Sequence, residues 1–411
     1  MLPVGVPSIV VSPRLAIDGG SPVRTEPFPR WPQFEAEDID AVSAVLRSGR
    51  VNYWTGDEGR LFEREFAAYT GTKHAIAVAN GTVALELALC ALGVGPGDEV
   101  ITPSRTFIAS ASCVAMRGAR PVTVDIDRDG QGVTAEAIEK AITPRTKAIV
   151  AVHLAGWPCD MESIMGVAKN YNLKVVEDCA QAHGARYKGQ PVGSVGHINA
   201  FSFCQDKIMT TGGEGGMVTT NDEELWRRAW SFKDHGKSYE AEFQCEQQIG
   251  FLWLHDSFGT NWRLTEMQSA LGRRMLRRLD VNVDRRRQHA GKMNQVFSTI
   301  PALRTTLPPD EFYHSYYKFY VFVRPERLRR DWSRDRIIAG IEAEGVPCYP
   351  GSCSEIYLEK AFDAIRPLRR FPVAQELSET SLMFLVHPTL SDSDIQDTIT
   401  AVHRVTEHAS R

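Results

Sequence analysis

Apolar positions along this chain follow two rhythms. Short runs bounded by glycine or polar residues recur at His74 to Ala79, Glu99 to Thr102, Pro121 to Asp125, Lys147 to Val152, Lys174 to Glu177, Ile198 to Phe203 and Met217 to Thr220. Their length and bounding residues predict buried strands. Between them, apolar residues at three- and four-residue spacing predict helices over Asp38 to Leu46, Arg60 to Tyr69, Val83 to Leu92, Thr134 to Ile142 and Glu223 to Trp230. Strands alternating with helices predict an α/β unit with a mostly parallel seven-stranded sheet. Leu264, Met267, Leu271, Met275, Leu279 and Val283 predict one long amphipathic helix, whose other face carries Arg273, Arg274, Arg277, Arg278 and Arg285 to Arg287. Such a run reads as a solvated face.

From about Pro301 the pattern changes. Tyr313 to Val323 is aromatic and β-branched, and helices are expected at Ser333 to Glu344 and Ser391 to Val405, each opening on a serine cap. This predicts a smaller α+β unit. Pro22, Pro27, Pro29 and Pro32 predict an extended arm at the start. The expected organisation is an arm over 1–34, a large domain over 35–285 and a small C-terminal domain over 286–411.

Composition narrows the class without naming a function. The 411 residues are 43% hydrophobic and 24% charged with a formal net charge of -4, so nothing global points to nucleic acid or an anionic membrane. The opening MLPVGVPSIVVSPR is broken by Pro3, Pro7 and Pro13, unlike a signal peptide. No apolar run approaches the roughly 18 residues of a membrane helix. The eight cysteines show neither a CxxC pair nor a Cys/His ligand spacing, so reduced thiols, no metal centre and a cytoplasmic location are expected.

Candidate chemistry concentrates between Lys174 and Thr220. Asp178 closes one strand run, Ser202 lies at the end of the next, and Lys207 follows it, just ahead of Gly212, Gly213, Gly215 and Gly216. Carboxyl ends of strands in open α/β sheets are where ligands bind. A lysine amine, a phosphate-binding hydroxyl and a carboxylate suit pyridoxal 5'-phosphate (PLP), with the amine on the aldehyde and the acid on the ring nitrogen. Elsewhere the residues read two ways. Gly81-Thr82 after the first strand is a phosphate turn or, more commonly, a threonine helix cap. Phe107 stacks on a ring or fills the core, His153 faces the crevice or is satisfied inside, Asn52-Tyr53-Trp54 is a core seam or a substrate loop, and Asn261 is a helix cap or a contact. No GxGxxG follows the first strand, which argues against a dinucleotide-binding dehydrogenase.

The runs EDCAQAHGA and FSFCQDKIMTTGGEGG resemble the DegT/DnrJ/StrS family of sugar aminotransferases, PLP enzymes of fold type I, and the resemblance extends from about Ala16 to the C-terminus. It implies that Lys207 bonds the cofactor aldehyde, Asp178 pairs with the ring nitrogen, Gln181 meets the phenolic oxygen and Phe107 stacks on the ring. Gly81, Thr82 and Ser202 would hold the phosphate. Asn261, in Asn261-Trp262-Arg263, would reach the phosphate of a partner chain's cofactor, which implies a homodimer. His153, His183, His235 and Tyr317 are the substrate candidates. The implied reaction moves an amino group from L-glutamate to a keto group of a nucleotide-linked deoxysugar. Dehydratase relatives carry histidine at the Schiff-base position, so Lys207 favours amino transfer. The opening Leu15 to Arg24 resembles members that act on keto-cyclitols or make aminobenzoate-type precursors, and these stay as the alternative, with a non-catalytic binding protein behind them. Acceptor choice is expected to rest on His235 to Gly259 and on Tyr349 to Tyr357.

Overall fold

The apolar runs pair into one sheet in a computed structural model that describes residues 14–243 and 253–411. We number its strands β1 (His74–Val78), β2 (Glu99–Pro103), β3 (Arg120–Val124), β4 (Thr146–Val152), β5 (Lys174–Asp178), β6 (Ile198–Ser202) and β7 (Gly216–Thr220). Their spatial order is β1-β7-β6-β5-β4-β2-β3. Only β7 runs antiparallel to its neighbours; the other pairings are parallel. The carboxyl ends of β2, β5 and β6 therefore share one edge, joined there by the end of β1, and β7 starts from that same edge. Every strand except β3, at the edge of the sheet, is buried almost throughout, as a sheet covered on both faces requires.

Helix Gly81–Ala91 lies across the sheet with Ala84, Leu85, Leu87, Ala88 and Leu89 buried, which explains its nearly all-round apolarity. Its cap is Asn80, whose Oδ1 accepts from the N–H of Val83 at 3.0 Å; Thr82 is left free of capping duty.

The single long helix expected from Leu264 to Val283 is two helices, Glu266–Arg277 and Leu279–Phe297, joined at Arg278. Arg278 adopts φ -101 and ψ 0 and turns its guanidinium onto Glu35 at 2.7 Å and Asp38 at 2.6 Å. The arginine face is also not merely solvated. Arg273 pairs with Glu58 and Glu65, Arg285 pairs with Asp392, and Arg286 is fully buried. Partners drawn from helices hundreds of positions away cannot be read from local spacing.

Helix Leu279–Phe297 crosses the expected 285/286 seam. Leu279 and Val283 pack with Phe62 and Phe66 beneath the large sheet, while Ala290, Met293 and Phe297 enter the core of the C-terminal unit. That unit holds an antiparallel sheet of β8 (Leu303–Thr305), β9 (Phe319–Val323) and β10 (Ser381–Phe384), in that order. Helices Arg334–Ala343 and Asp392–Ala409 cover it, capped by Ser333 and Ser391 as expected. The aromatic run from Tyr313 divides: Phe312–Tyr313 pairs with Arg186–Tyr187, Phe319–Val323 forms β9, and Tyr316 sits between them at φ 50.

The described part of the arm is anchored rather than free. Leu15 is buried in the C-terminal core, and the N–H groups of Ala16 and Val23 donate to the Glu344 carboxylate at 2.9 and 3.1 Å. Among the described residues no helix is long and apolar enough to cross a membrane.

Candidate active site

A cavity of about 740 Å³ opens at the carboxyl edge of the sheet, and Gly81, Thr82, Phe107, Asp178, Gln181, Ser202, Lys207 and Tyr317 all line it. Asp178 ends β5 and is buried. Its Oδ2 accepts from Ser110 Oγ at 2.7 Å and its Oδ1 from the Ala180 N–H at 3.1 Å. Burial pushes its pKa up, against these two bonds and the charge of Lys207, so the acid is poised for a cationic partner.

Next to it the helix Gly81–Ala91 presents its first N–H groups, which have no intrahelical acceptor, and Thr82 adds a hydroxyl. A Cβ on Gly81 would lie 2.4 Å from Ser202 Cβ, so only glycine lets the turn come this close to the β6 terminus. The result is a cradle of N–H and hydroxyl groups suited to a phosphate. Phe107, 60% exposed, stands beside it just ahead of helix Ala109–Met116.

Lys207 follows β6. Its Nζ lies 3.6 Å from Asp206 Oδ1 and 5.0 Å from the ring centroid of Tyr317, whose hydroxyl donates to Asp206. Its carbonyl accepts from Trp31 Nε1 at 2.8 Å. Gly212 and Gly213, at φ 93 and 129, turn the chain back toward β7 in conformations that side chains resist. Gln181 accepts from the Ala155 N–H at 2.9 Å, and the Ala155 carbonyl accepts from the Tyr317 N–H at 2.8 Å. One residue, Ala155 at φ 56, thus sets both walls.

The three histidines put forward as substrate contacts do not line the cavity. His153 is buried behind it, with Nε2 2.9 Å from Glu177 Oε2 and Nδ1 accepting from the Cys159 N–H at 2.9 Å. Glu177 also accepts from the N–H groups of Gly193, Val195 and Gly196, so its oxygens are committed. Burial opposes charge on His153, but its bonds to Cys159, Cys179 and Glu177 outweigh this and hold it well above its ordinary value. Burial likewise works against Glu177, and the His153 bond holds it low. His183 is buried between Phe201 and Phe203, and burial pushes it down to about 3. His235 is exposed at φ 63 on a loop tied to Thr260. Of the substrate candidates only Tyr317 faces the cavity.

Asn261 is exposed and outside this chain's cavity, bridged to Asp234. Tyr53 and Trp54 belong to a core seam: Tyr53 donates to Glu63 at 3.0 Å, and Lys233 lies over its ring at 4.0 Å. Tyr349, Gly351 and Ser352 reach the cavity from the C-terminal loop. Part of the segment His235 to Gly259, including Cys245, lies outside the described residues.

This arrangement matches known proteins along nearly its whole length. Residues 32–403 match the model of the DegT/DnrJ/EryC1/StrS aminotransferase family. The chain belongs to that family. It is 38% identical over 375 residues to the UDP-N-acetyl-3-dehydro-alpha-D-glucosamine 3-aminotransferase of Acidithiobacillus ferrooxidans, covering 90% of this chain and 93% of the relative. The X-ray structure of an aminotransferase from Psychrobacter cryohalolentis is 54% identical, with a TM-score of 0.91 over 93% of this chain and 100% of that one. Spr1654 of Streptococcus pneumoniae, solved in PLP form, is 28% identical at a TM-score of 0.82 over 93% and 99%. The protein is a PLP-dependent aminotransferase of fold type I. The residues present fit the cofactor: a buried acid at one end, a glycine-opened phosphate cradle at the other, and a lysine between.

Sequence reasoning passed over several residues of this aminotransferase. Ser110 supports Asp178, Trp31 holds the lysine backbone, and Asp206 and Lys318 line the cavity. Asp206 was signalled by adjacency to Lys207. Trp31 sits in the proline-rich arm, and no local pattern connects it with a residue 176 positions away.

Proposed function

We propose that this aminotransferase transfers the amino group of an amino acid, L-glutamate, to the keto group of a nucleotide-linked deoxysugar, acting as a cytoplasmic homodimer with Lys207 as its catalytic amine. The observation that carries this reading is the convergence of Lys207, Asp178 and the Gly81-Thr82-Ser202 cradle on one cavity. The sugar part of the reading is supported by the relative named as a UDP-sugar 3-aminotransferase. The free state of the described cysteines supports a reducing compartment.

When bound, PLP supplies the carrier of the amino group and the electron sink for cleavage of the donor Cα–H bond. Gly81, Thr82 and Ser202 bind its phosphate, Asp178 keeps its ring nitrogen protonated, Gln181 bonds its phenolic oxygen and Phe107 covers its ring. Lys207 Nζ would take the proton from the substrate Cα and deliver it to the cofactor carbon that receives the amino group. Asp206 and Tyr317 hold that amine at the cavity. Asn261, exposed and away from its own cavity, completes the partner's phosphate cradle.

The test is incubation of the purified protein with L-glutamate and a panel of keto-sugar nucleotides, following 2-oxoglutarate and amino sugar. Formation of both in equal amounts is expected, and none with Lys207→Ala. Turnover by that variant would overturn the role of the lysine.

A further inference from the structure

A second cavity of about 560 Å³ backs onto the first, and the two share the wall made by Asp206, Tyr317, Lys318 and Leu385. Lys318 precedes β9, where the chain leaves the Tyr316 turn, and reaches both spaces. Its Nζ lies 4.8 Å from the Tyr317 ring centroid, against 5.0 Å for Lys207 Nζ, so the two amines are within 9.8 Å of each other. Lys318 makes no hydrogen bond or ion pair with any described residue.

The charges around this wall do not balance. Arg286, 1% exposed, lies behind it with its Nη1 on the Tyr317 carbonyl at 3.2 Å, its guanidinium over Trp31, and its Nε and Nη2 without a partner among the described residues. Lys318 and Arg286, beside the Lys207 amine that takes up the cofactor, thus face one carboxylate, Asp206, which already receives Tyr317 and Lys207. Asp178 is committed at the far end of the cavity, and Glu214 lines it from the glycine loop. Burial, with Arg286 and Lys207 adding to it against Asp206, pushes Lys318 down to about 8, as expected of an ammonium short of an anion. A half-buried ammonium beside a reaction cavity is a site for a substrate anion.

We infer that Lys318 is the carboxylate anchor for the amino donor, at the wall shared by the two cavities, with Arg286 behind it adding positive potential. The inference rests on the transamination reading above. An extended glutamate spans a separation within that bound, its nitrogen near Lys207 and a carboxylate on Lys318. That carboxylate is the α-group or the side-chain group of glutamate, and the two are separable.

The test uses the holoenzyme and its Lys318→Met and Lys318→Arg variants. Binding of glutarate, which has both carboxylates and no amine, is measured by titration calorimetry. The donor half-reaction is then followed by cofactor absorbance in single turnovers with L-glutamate or L-glutamine. In Lys318→Met, glutarate and L-glutamate affinity should each fall by about ten- to a hundred-fold, the scale of one hydrogen bond to a charged group. Lys318→Arg should restore most of the loss, with cofactor content unchanged in both variants. A loss shared by L-glutamine assigns the α-carboxylate, and a loss confined to L-glutamate assigns the side chain; both support the anchor. Unchanged glutarate and donor affinity overturns it, as does a loss confined to the keto-sugar nucleotide, which would give Lys318 to the acceptor's diphosphate. A wild-type enzyme whose absorbance responds to no amino acid would instead sink the transamination reading.

Discussion

A β-carbon on Gly81 would stand 2.4 Å from that of Ser202, well inside any real carbon–carbon contact. The turn after β1 and the end of β6 therefore approach each other only because position 81 has no side chain. Gly81→Ala should push them apart, at about the 1–3 kcal/mol typical of an overpacked site. PLP affinity, read by equilibrium dialysis, should drop by at least about ten-fold, with the apoprotein still folded by circular dichroism.

Lys207→Ala should leave no covalent cofactor after borohydride treatment, as read by mass spectrometry, while Asp178, Ser202 and Gly81 still hold PLP reversibly. Covalent label on the variant would place the reactive amine elsewhere.

Asp178 offers a prediction in which stability and activity move apart. Its pKa is raised by burial in the folded chain, so the cofactor-free protein loses stability as pH rises from the unfolded value of 3.8 through the folded one. Asp178→Asn removes that loss, and the cofactor-free variant should melt above the cofactor-free wild type at neutral pH. Turnover should fall by about a hundred- to a thousand-fold, as when one preorganised electrostatic partner of a reaction is removed. A variant that melts lower and works normally would contradict both halves.

The buried pair His153 and Glu177 calls for the opposite result. Glu177→Gln leaves the imidazole without its anion and should cost about 3–5 kcal/mol, measured by denaturant unfolding. His153 is raised in the fold, so the stability it contributes is complete below about pH 6.5 and fades as pH climbs through the folded value. The gap between wild type and variant should accordingly narrow in alkaline buffer. A gap that widens there would reject the ion pair.

If Asn261 serves the neighbouring site, two crippled chains should rescue each other. Co-refolding Lys207→Ala with Asn261→Ala should give activity above either parent, because one site of the mixed dimer then holds both native residues. Absence of rescue in dimers confirmed by light scattering would return Asn261 to its own chain.

Much of this was legible before any coordinates. The seven strand runs, the helix after Gly81 and the serine caps at 333 and 391 are local matters of hydrophobic period and hydrogen-bonding side chains. Asp178, Ser202 and Lys207 could be placed because strands of one parallel sheet end on one edge. The histidines lie outside this chain's cavity for a related reason: a strand end says which edge a residue is near, not on which side of the backbone its side chain lies. His153 closes β4 at the right edge and still turns inward, because Glu177 on the adjacent strand offers it a carboxylate.

What the chain determined alone was therefore its class, its sheet and the lysine that lines the cavity, since each depends on residues close together in sequence. Tertiary structure decided which polar groups share space. Arg278 broke a continuous apolar stripe to reach Glu35 and Asp38, and Trp31 came to hold Lys207. Lys318 was left facing two cavities with too few carboxylates nearby. Burial and long-range electrostatics arise between segments that meet only on folding, and no periodicity encodes them.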